Sequence, residues 1–238
     1  MKSHFQILFT FISLLLIRES FAQSFNAGIS GGLTVSEING ANSDPNRRGF
    51  HKLGVTVGGV VNARIAKNTL LQFEINYIQK GSMQPPDSLN NGYYKIALGY
   101  VEIPILIRQQ VFFNWKGKRV NKVDLEFGAS YGKMLQRTVI GSSNYQLNNT
   151  AEYYNTDDIS LLAGVDYNFT NNICFNFRYS NSLIPAIKRT AFRPGLVTTR
   201  TINRGNNMVF QFGFKFLFST KRKGSGTPVE TVTPTVPE

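Results

Sequence analysis

The segment Met208–Phe218, MVFQFGFKFLF, sets Met208, Phe210, Phe212, Phe214, Phe216 and Phe218 on one side of an extended chain. Gln211, Gly213 and Lys215 fall on the other side. Side chains alternate faces with a period of two in a β-strand, so the pattern builds one apolar wall and one polar wall. A helix would scatter the same phenylalanines around its circumference. The length also suits a tilted strand crossing the hydrocarbon of a bilayer.

Working back from that strand, the same period recurs seven times. Phe25, Ala27, Ile29, Leu33 and Val35 alternate with Asn26, Gly28, Ser30, Gly32 and Thr34. Leu53, Val55, Val57, Val61, Ala63 and Ile65 oppose Lys52, Thr56, Asn62 and Arg64. Leu71, Phe73, Ile75 and Tyr77 oppose Gln72, Glu74 and Asn76; Val101, Ile103, Ile105 and Ile107 oppose Tyr100, Glu102, Pro104 and Arg108. Val123, Leu125, Phe127, Ala129 and Tyr131 oppose Asp124, Glu126, Gly128 and Ser130. Ile159, Leu161, Ala163, Val165 and Tyr167 oppose Asp158, Ser160, Asp166 and Asn168. Ile173, Phe175, Phe177 and Tyr179 oppose Cys174, Asn176, Arg178 and Ser180.

The links between these segments alternate in length. Ala66-Lys67-Asn68, Lys116-Gly117-Lys118 and Thr170-Asn171-Asn172 are short; those near Ser36–His51, Lys80–Tyr93, Thr138–Asp157 and Ile184–Gly205 are long and polar. Short periplasmic turns and long outer loops are the asymmetry of outer-membrane barrels. The pattern predicts an all-β fold, an eight-stranded antiparallel up-and-down transmembrane β-barrel with both termini on the periplasmic side.

Alternation does not say which face is inside, and a soluble lipocalin-type barrel with an apolar ligand cavity is the rival. Two features favour the membrane form. Gly28, Gly32, Gly54, Gly58, Gly128, Gly132, Gly164 and Gly213 gather on the polar face, where a narrow lumen needs room for inward Glu and Arg. Aromatic residues gather at segment ends, with Phe113, Trp115, Tyr167, Phe169, Phe216 and Phe218 on the turn side. Tyr77, Tyr131 and Tyr179 mark the loop side, completing two interfacial girdles.

The chain ends read differently. Lys2 and His4 precede an apolar run from Phe5 to Ile17, followed by Ser20, Phe21 and Ala22 with small residues at −3 and −1. That is a secretory signal peptide over 1–22, cut to leave Gln23 first. The barrel is expected over 23–219. Lys221-Arg222-Lys223 then leads into a Gly, Ser, Thr, Pro, Val and Glu tail over 220–238, expected to be a disordered periplasmic extension.

A net charge of +12 and a pI near 9.9 raise the question of nucleic acid. The cations lie in links and at segment ends rather than in a reader motif, so anionic lipid is the expected counterpart and no nucleic acid is. The single cysteine, Cys174, excludes an intrachain disulfide. Glu74, Glu102, Asp124, Glu126, Asp158 and Asp166 share the polar face with Arg64, Arg108, Arg178 and Lys215. Acid–base chemistry needs a pocket as well as carboxylates, and the simpler reading is mutual neutralisation inside a narrow barrel. His51 is the one histidine after the signal and lies in a long link. Asn148-Asn149-Thr150 matches a glycosylation sequon without further support. No catalytic, cofactor-binding or metal-binding residue is assigned, and no enzymatic activity is expected.

FEINYIQKG over 73–81 and LGYVEIPILIR over 98–108 resemble the hallmark of the PorT-like outer-membrane β-barrel family. There a strand ending in Gln-Lys-Gly, here Gln79, Lys80 and Gly81, precedes a strand carrying Tyr-x-Glu-Ile-Pro, here Tyr100, Glu102, Ile103 and Pro104. The resemblance extends over nearly all of the mature chain and implies a small barrel of the Gram-negative cell envelope. The family's founding member belongs to the type IX secretion machinery, so a structural or interaction role accessory to secretion or envelope assembly is implied. A loop-mediated binding or adhesion protein is the alternative. Expected partners are outer-membrane lipid, lipopolysaccharide at the cations of the Ile184–Gly205 link, and secretion or envelope proteins, around a monomeric barrel.

Overall fold

In a computed structural model each alternating segment forms one strand: β1 (Phe25–Asn39), β2 (Lys52–Ala66), β3 (Thr69–Gln84) and β4 (Tyr94–Trp115). They continue as β5 (Lys118–Gly141), β6 (Asp157–Asn168), β7 (Ile173–Ser182) and β8 (Asn206–Phe218). The structure describes residues 25–39, 49–86, 93–115, 118–141, 154–170, 172–187 and 205–218. Neighbours in sequence are neighbours in the sheet, and β1 pairs with β8 from Ala27↔Phe218 to Asn39↔Asn206 to close the barrel. Closure leaves no full-length open edge, as a hydrocarbon environment requires.

The polarity is that of a membrane barrel. Leu33 is 60% exposed, Ile75 63% and Phe127 56%, whereas Gln72, Glu126 and Asp166 are 0% exposed. A lipocalin-type barrel would place the apolar set inside, so that rival is rejected. On the outer wall Phe177 packs on Phe212 with centroids 5.1 Å apart, Phe175 on Phe214 at 5.4 Å and Phe216 on Phe218 at 5.7 Å. These cross-strand and along-strand ring contacts favour the register that the alternation sets. Phe113, Tyr167, Phe169, Phe216 and Phe218 are exposed on the turn side, and Tyr131 on the loop side.

Several strands run past their expected ends. β3 continues to Gln84 and β5 to Gly141, shortening two links that the sequence placed from Lys80 and Thr138. Outward residues there include the polar Lys95, Gln136 and Thr138, so the alternation fades although the ladder persists. β4 and β5 pair along their whole length, with register shifts that leave Leu135 and Lys122 without opposite partners. Such bulges bend the strand and raise its twist.

The inner glycines divide into two kinds. A Cβ on Gly164 would lie 2.6 Å from Glu126 Oε1, so this glycine leaves space for a side chain as expected. At the β1–β8 seam, Gly32 and Gly213 are opposite one another. A Cβ on Gly213 would meet Gly31 O at 2.6 Å, and one on Gly32 the Gly213 Cα at 2.6 Å. These two permit close backbone approach, which lets the sheet curl shut.

Residues 1–22, the tail over 220–238, Lys116, Gly117, Asn171, the sequon at 148–150 and the link cations between 188 and 204 lie outside the described residues, as does the Trp115 side chain.

Ile105 is 48% exposed on the outer face of β4 and separates the two polarities experimentally. Ile105→Arg is expected to lower the unfolding free energy in bilayers by about 2–4 kcal/mol, the cost of arginine on a lipid-facing strand. Urea titration in lipid vesicles measures this, and an unchanged midpoint would contradict a lipid-facing β4.

Candidate functional site

At mid-height the inner faces of β1 and β2 are small, with Gly28, Ser30, Gly32, Thr34, Gly54, Thr56 and Gly58, so charged side chains from β3–β8 fill the lumen there. On the turn side and at mid-height they form one connected network. Arg178 on β7 grips Glu74 on β3 with two parallel contacts, Nη1–Oε2 at 2.9 Å and Nη2–Oε1 at 2.8 Å. Its Nε reaches Glu126 Oε1 at 2.6 Å, and the other Glu126 oxygen accepts from Lys215 Nζ at 2.8 Å. Lys215 also donates to Asp166 at 3.1 Å. Asp166 takes Arg108 Nε at 3.1 Å, and Arg108 holds Asp124 at 2.6 Å. Asn176 donates to Glu126 and Asp166, and Gln72 to Glu74. Bidentate arginine contacts and filled carboxylate lone pairs are what make buried ions tolerable.

A second cluster lies nearer the loops. Lys80 on β3 meets Asp158 on β6 at 2.8 Å and Glu102 on β4 at 3.2 Å, its Nζ 5.5 Å from the Tyr100 ring centre. Ser182 and Ser160 donate to Asp158, and Ser130 to Glu102. The two hallmark motifs are therefore one physical unit. Lys80 of Gln-Lys-Gly pairs with Glu102 of Tyr-x-Glu-Ile-Pro, above the ring of Tyr100 from the same motif. Gly81 beside it has φ +140°, a backbone that side-chain-bearing residues rarely adopt.

The outer mouth is closed by an apolar cap in which Ile38, Ile96, Leu98, Tyr154, Ile187 and Val209 are buried. Ile187 bridges to both Tyr154 and Gly205, tying the bases of two long loops together. The Arg137 guanidinium stands 5.1 Å from the Tyr154 ring centre, and burial pushes the Tyr154 hydroxyl pKa up to about 12.

The charged lumen residues named from sequence meet in these clusters, with the exception of Arg64. Arg64 is exposed at the turn rim, where its Nη1 donates to Lys67 O at 2.7 Å. It forms the last in-register pair with Leu70 before the β2–β3 register shifts between Arg64 and Ala66. Lys80, assigned to a link, sits at the centre of the upper cluster. Its even parity with Glu74 and Asn76 is the sequence signal for an inward position. Lys95 and Lys133, both exposed on the outer wall toward the loop side, stand apart. Lys133 opposes Val101, six positions along β4 from Lys95, or about 20 Å. Lys133 pairs with Asp157 at 2.8 Å, and Tyr131 donates to the same carboxylate at 2.6 Å.

Cys174 is buried, 4.0 Å from Arg108 Nη2. Exposed His51 makes only a backbone contact to Gly49 among those described. Among the described residues no group of three or more His, Cys, Asp or Glu is placed to hold a metal ion.

Residues 21–188 match the family model of the outer membrane protein β-barrel domain. The chain belongs to that family. It is a protein of the outer membrane, carried there by an eight-stranded barrel. No curated protein matches the sequence. Among solved structures, similar chains include Ail, the attachment invasion locus protein of Yersinia pestis, solved with the heparin analogue sucrose octasulfate. It is 11% identical, with a TM-score of 0.43, and 82% of this chain and 99% of that one are covered. Neisserial surface protein A is 13% identical, with a TM-score of 0.38 and coverage of 82% and 99%. OprG of Pseudomonas aeruginosa is 12% identical, with a TM-score of 0.39 and coverage of 82% and 97%.

The upper cluster has a direct energetic test. Lys80→Met leaves two buried carboxylates without their cation and is expected to cost about 3–5 kcal/mol. Adding Glu102→Gln and Asp158→Asn should recover more than half of the loss. Unfolding titrations of the single and triple variants measure both, and a Lys80→Met cost near zero would show that the cluster contributes nothing.

Proposed function

We propose that this outer-membrane barrel has a structural or protein-interaction role, accessory to secretion or envelope assembly, and is PorT-like. The observation that carries this is the filled lumen. Glu74, Glu126, Asp166, Arg108, Arg178 and Lys215 occupy the interior and engage one another, under an apolar cap. An interior so occupied favours work done by the loops, the turns and the outer wall, and disfavours passage of solutes or chemistry within. The pairing of Lys80 with Glu102 gives the PorT-like motifs a physical reason to occur together.

In this reading the turns face the periplasm, the signal over 1–22 directs export and the tail over 220–238 stays periplasmic. The long loops meet lipopolysaccharide. The link from Ile184 to Gly205 holds Lys188, Arg189, Arg193, Arg200 and Arg204 and no acid, and cations there suit dense outer phosphates. Loop-mediated binding or adhesion is the second reading, favoured by the β3–β5 sheet that rises past the rim with Leu135 66% and Ile140 47% exposed.

Purification from native membranes in mild detergent tests the proposal, using the chain with and without Gln at those five link positions. The expected result is a stoichiometric envelope or secretion protein on both forms and markedly less lipid A on the substituted one. A bare barrel with unchanged lipid A would refute it.

A further inference from the structure

The ionic residues are divided unevenly between the two ends of the barrel. From Phe25 to Phe218 the acids are either the six lumen carboxylates or Glu37, Asp44, Asp87, Glu152 and Asp157, toward the long loops. The short turns hold no acid at all. Arg64 and Lys67 flank the β2–β3 turn and Lys122 lies on the β4–β5 hairpin, all three exposed. The hairpin sequence adds Lys118 and Arg119. No acid pairs with Arg64, Lys67 or Lys122 among the described contacts, in contrast to Lys133, which has Asp157.

The backbone gathers these cations on one side. β3 meets β4 last at Thr69↔Gln109, and β6 meets β5 last at Tyr167↔Val123. Beyond those pairs Phe112–Trp115 and Lys118–Asn121 continue the β4–β5 ladder with no third strand paired beside them among the described residues. They form a two-stranded ribbon that projects about 15 Å from the barrel wall. Such a ribbon is marginal in water alone. Its Phe113 is 50% exposed and continues the outward stripe of Ile103, Ile105 and Ile107. The register shift at Phe112 leaves Lys122 exposed, without a partner across the ladder. Gln110 N donates to Asn68 O at 2.8 Å, and Arg64 Nη1 lies 3.4 Å from Gln110 Oε1, so the β2–β3 turn is tied to the base of the ribbon.

We propose that this end of the barrel is a docking collar for anionic phospholipid headgroups, with Arg64, Lys67 and Lys122 meeting phosphate and Phe113 seated at the interface. An aromatic residue at headgroup depth beside unpaired cations is the arrangement an anionic leaflet attracts. In the cell this leaflet is the periplasmic one, which rests on the orientation proposed above; the affinity itself does not depend on it.

Trp115, the only tryptophan in the chain, closes β4 on the ribbon and serves as the fluorescent probe. The chain from Gln23 is refolded into mixed bilayers containing either brominated phosphatidylglycerol or brominated phosphatidylcholine at equal mole fraction. Quenching of Trp115 should be at least about twofold stronger from the anionic lipid, and high salt should remove the preference. Combining Arg64→Gln, Lys67→Gln and Lys122→Gln should also remove it, while the variant keeps the faster mobility of an unheated barrel in detergent gels. Equal quenching by the two lipids in the unsubstituted chain would overturn the proposal, as would a preference that survives in the folded variant. A collar that serves an acidic protein instead would give equal quenching.

Discussion

Arg178 is the residue on which the interior turns. It is 1% exposed, it holds Glu74 with two contacts and Glu126 with a third, and it joins β7 to β3 and β5 across the lumen. Taking ions out of water costs several kcal/mol each, and attraction offsets that only where geometry is good and the remaining lone pairs are filled. Here Lys215, Gln72 and Asn176 complete the carboxylate partners. The small inner faces of β1 and β2 give these long side chains somewhere to lie.

From that constraint the rest follows outward. A lumen filled by ion pairs needs a narrow barrel, a narrow barrel needs a strongly curled sheet, and Gly32 opposite Gly213 lets the closing seam curl. The wall must then be apolar on its other face, where Phe210–Phe218 and the aliphatic stripes of β2–β4 meet lipid. The two ends differ in turn. The loop end is stoppered by Ile38, Ile187 and Val209 and carries acids among its cations, while at the turn end the exposed ionic side chains among the described residues are cations.

Strand number, order and the inward or outward sense of nearly every residue were legible in the sequence, because lipid and a filled lumen each impose one polarity on alternate positions. The pattern failed where those solvents end. Lys80 reads as a link residue because the outward apolar run of β3 stops at Tyr77, yet its parity matches Glu74. Arg64 kept the inward parity but lies past the wall. The bulges at Leu135 and Lys122 carry no composition signal. Neither does the cap, since Tyr154, Ala186 and Ile187 come from links that read as polar. The pairing of Lys80 with Glu102 and Asp158 was out of reach, because period-two reading gives a face and not a height.

Planar-bilayer recording of the refolded chain from Gln23 tests most directly whether the barrel is closed along its interior. Eight strands enclose a space that side chains just fill, whereas water-filled pores need about sixteen. Silence, or rare small openings, is the expected record. Stable, ion-selective steps of porin size would contradict a lumen held shut by Arg178, Lys215 and their carboxylates.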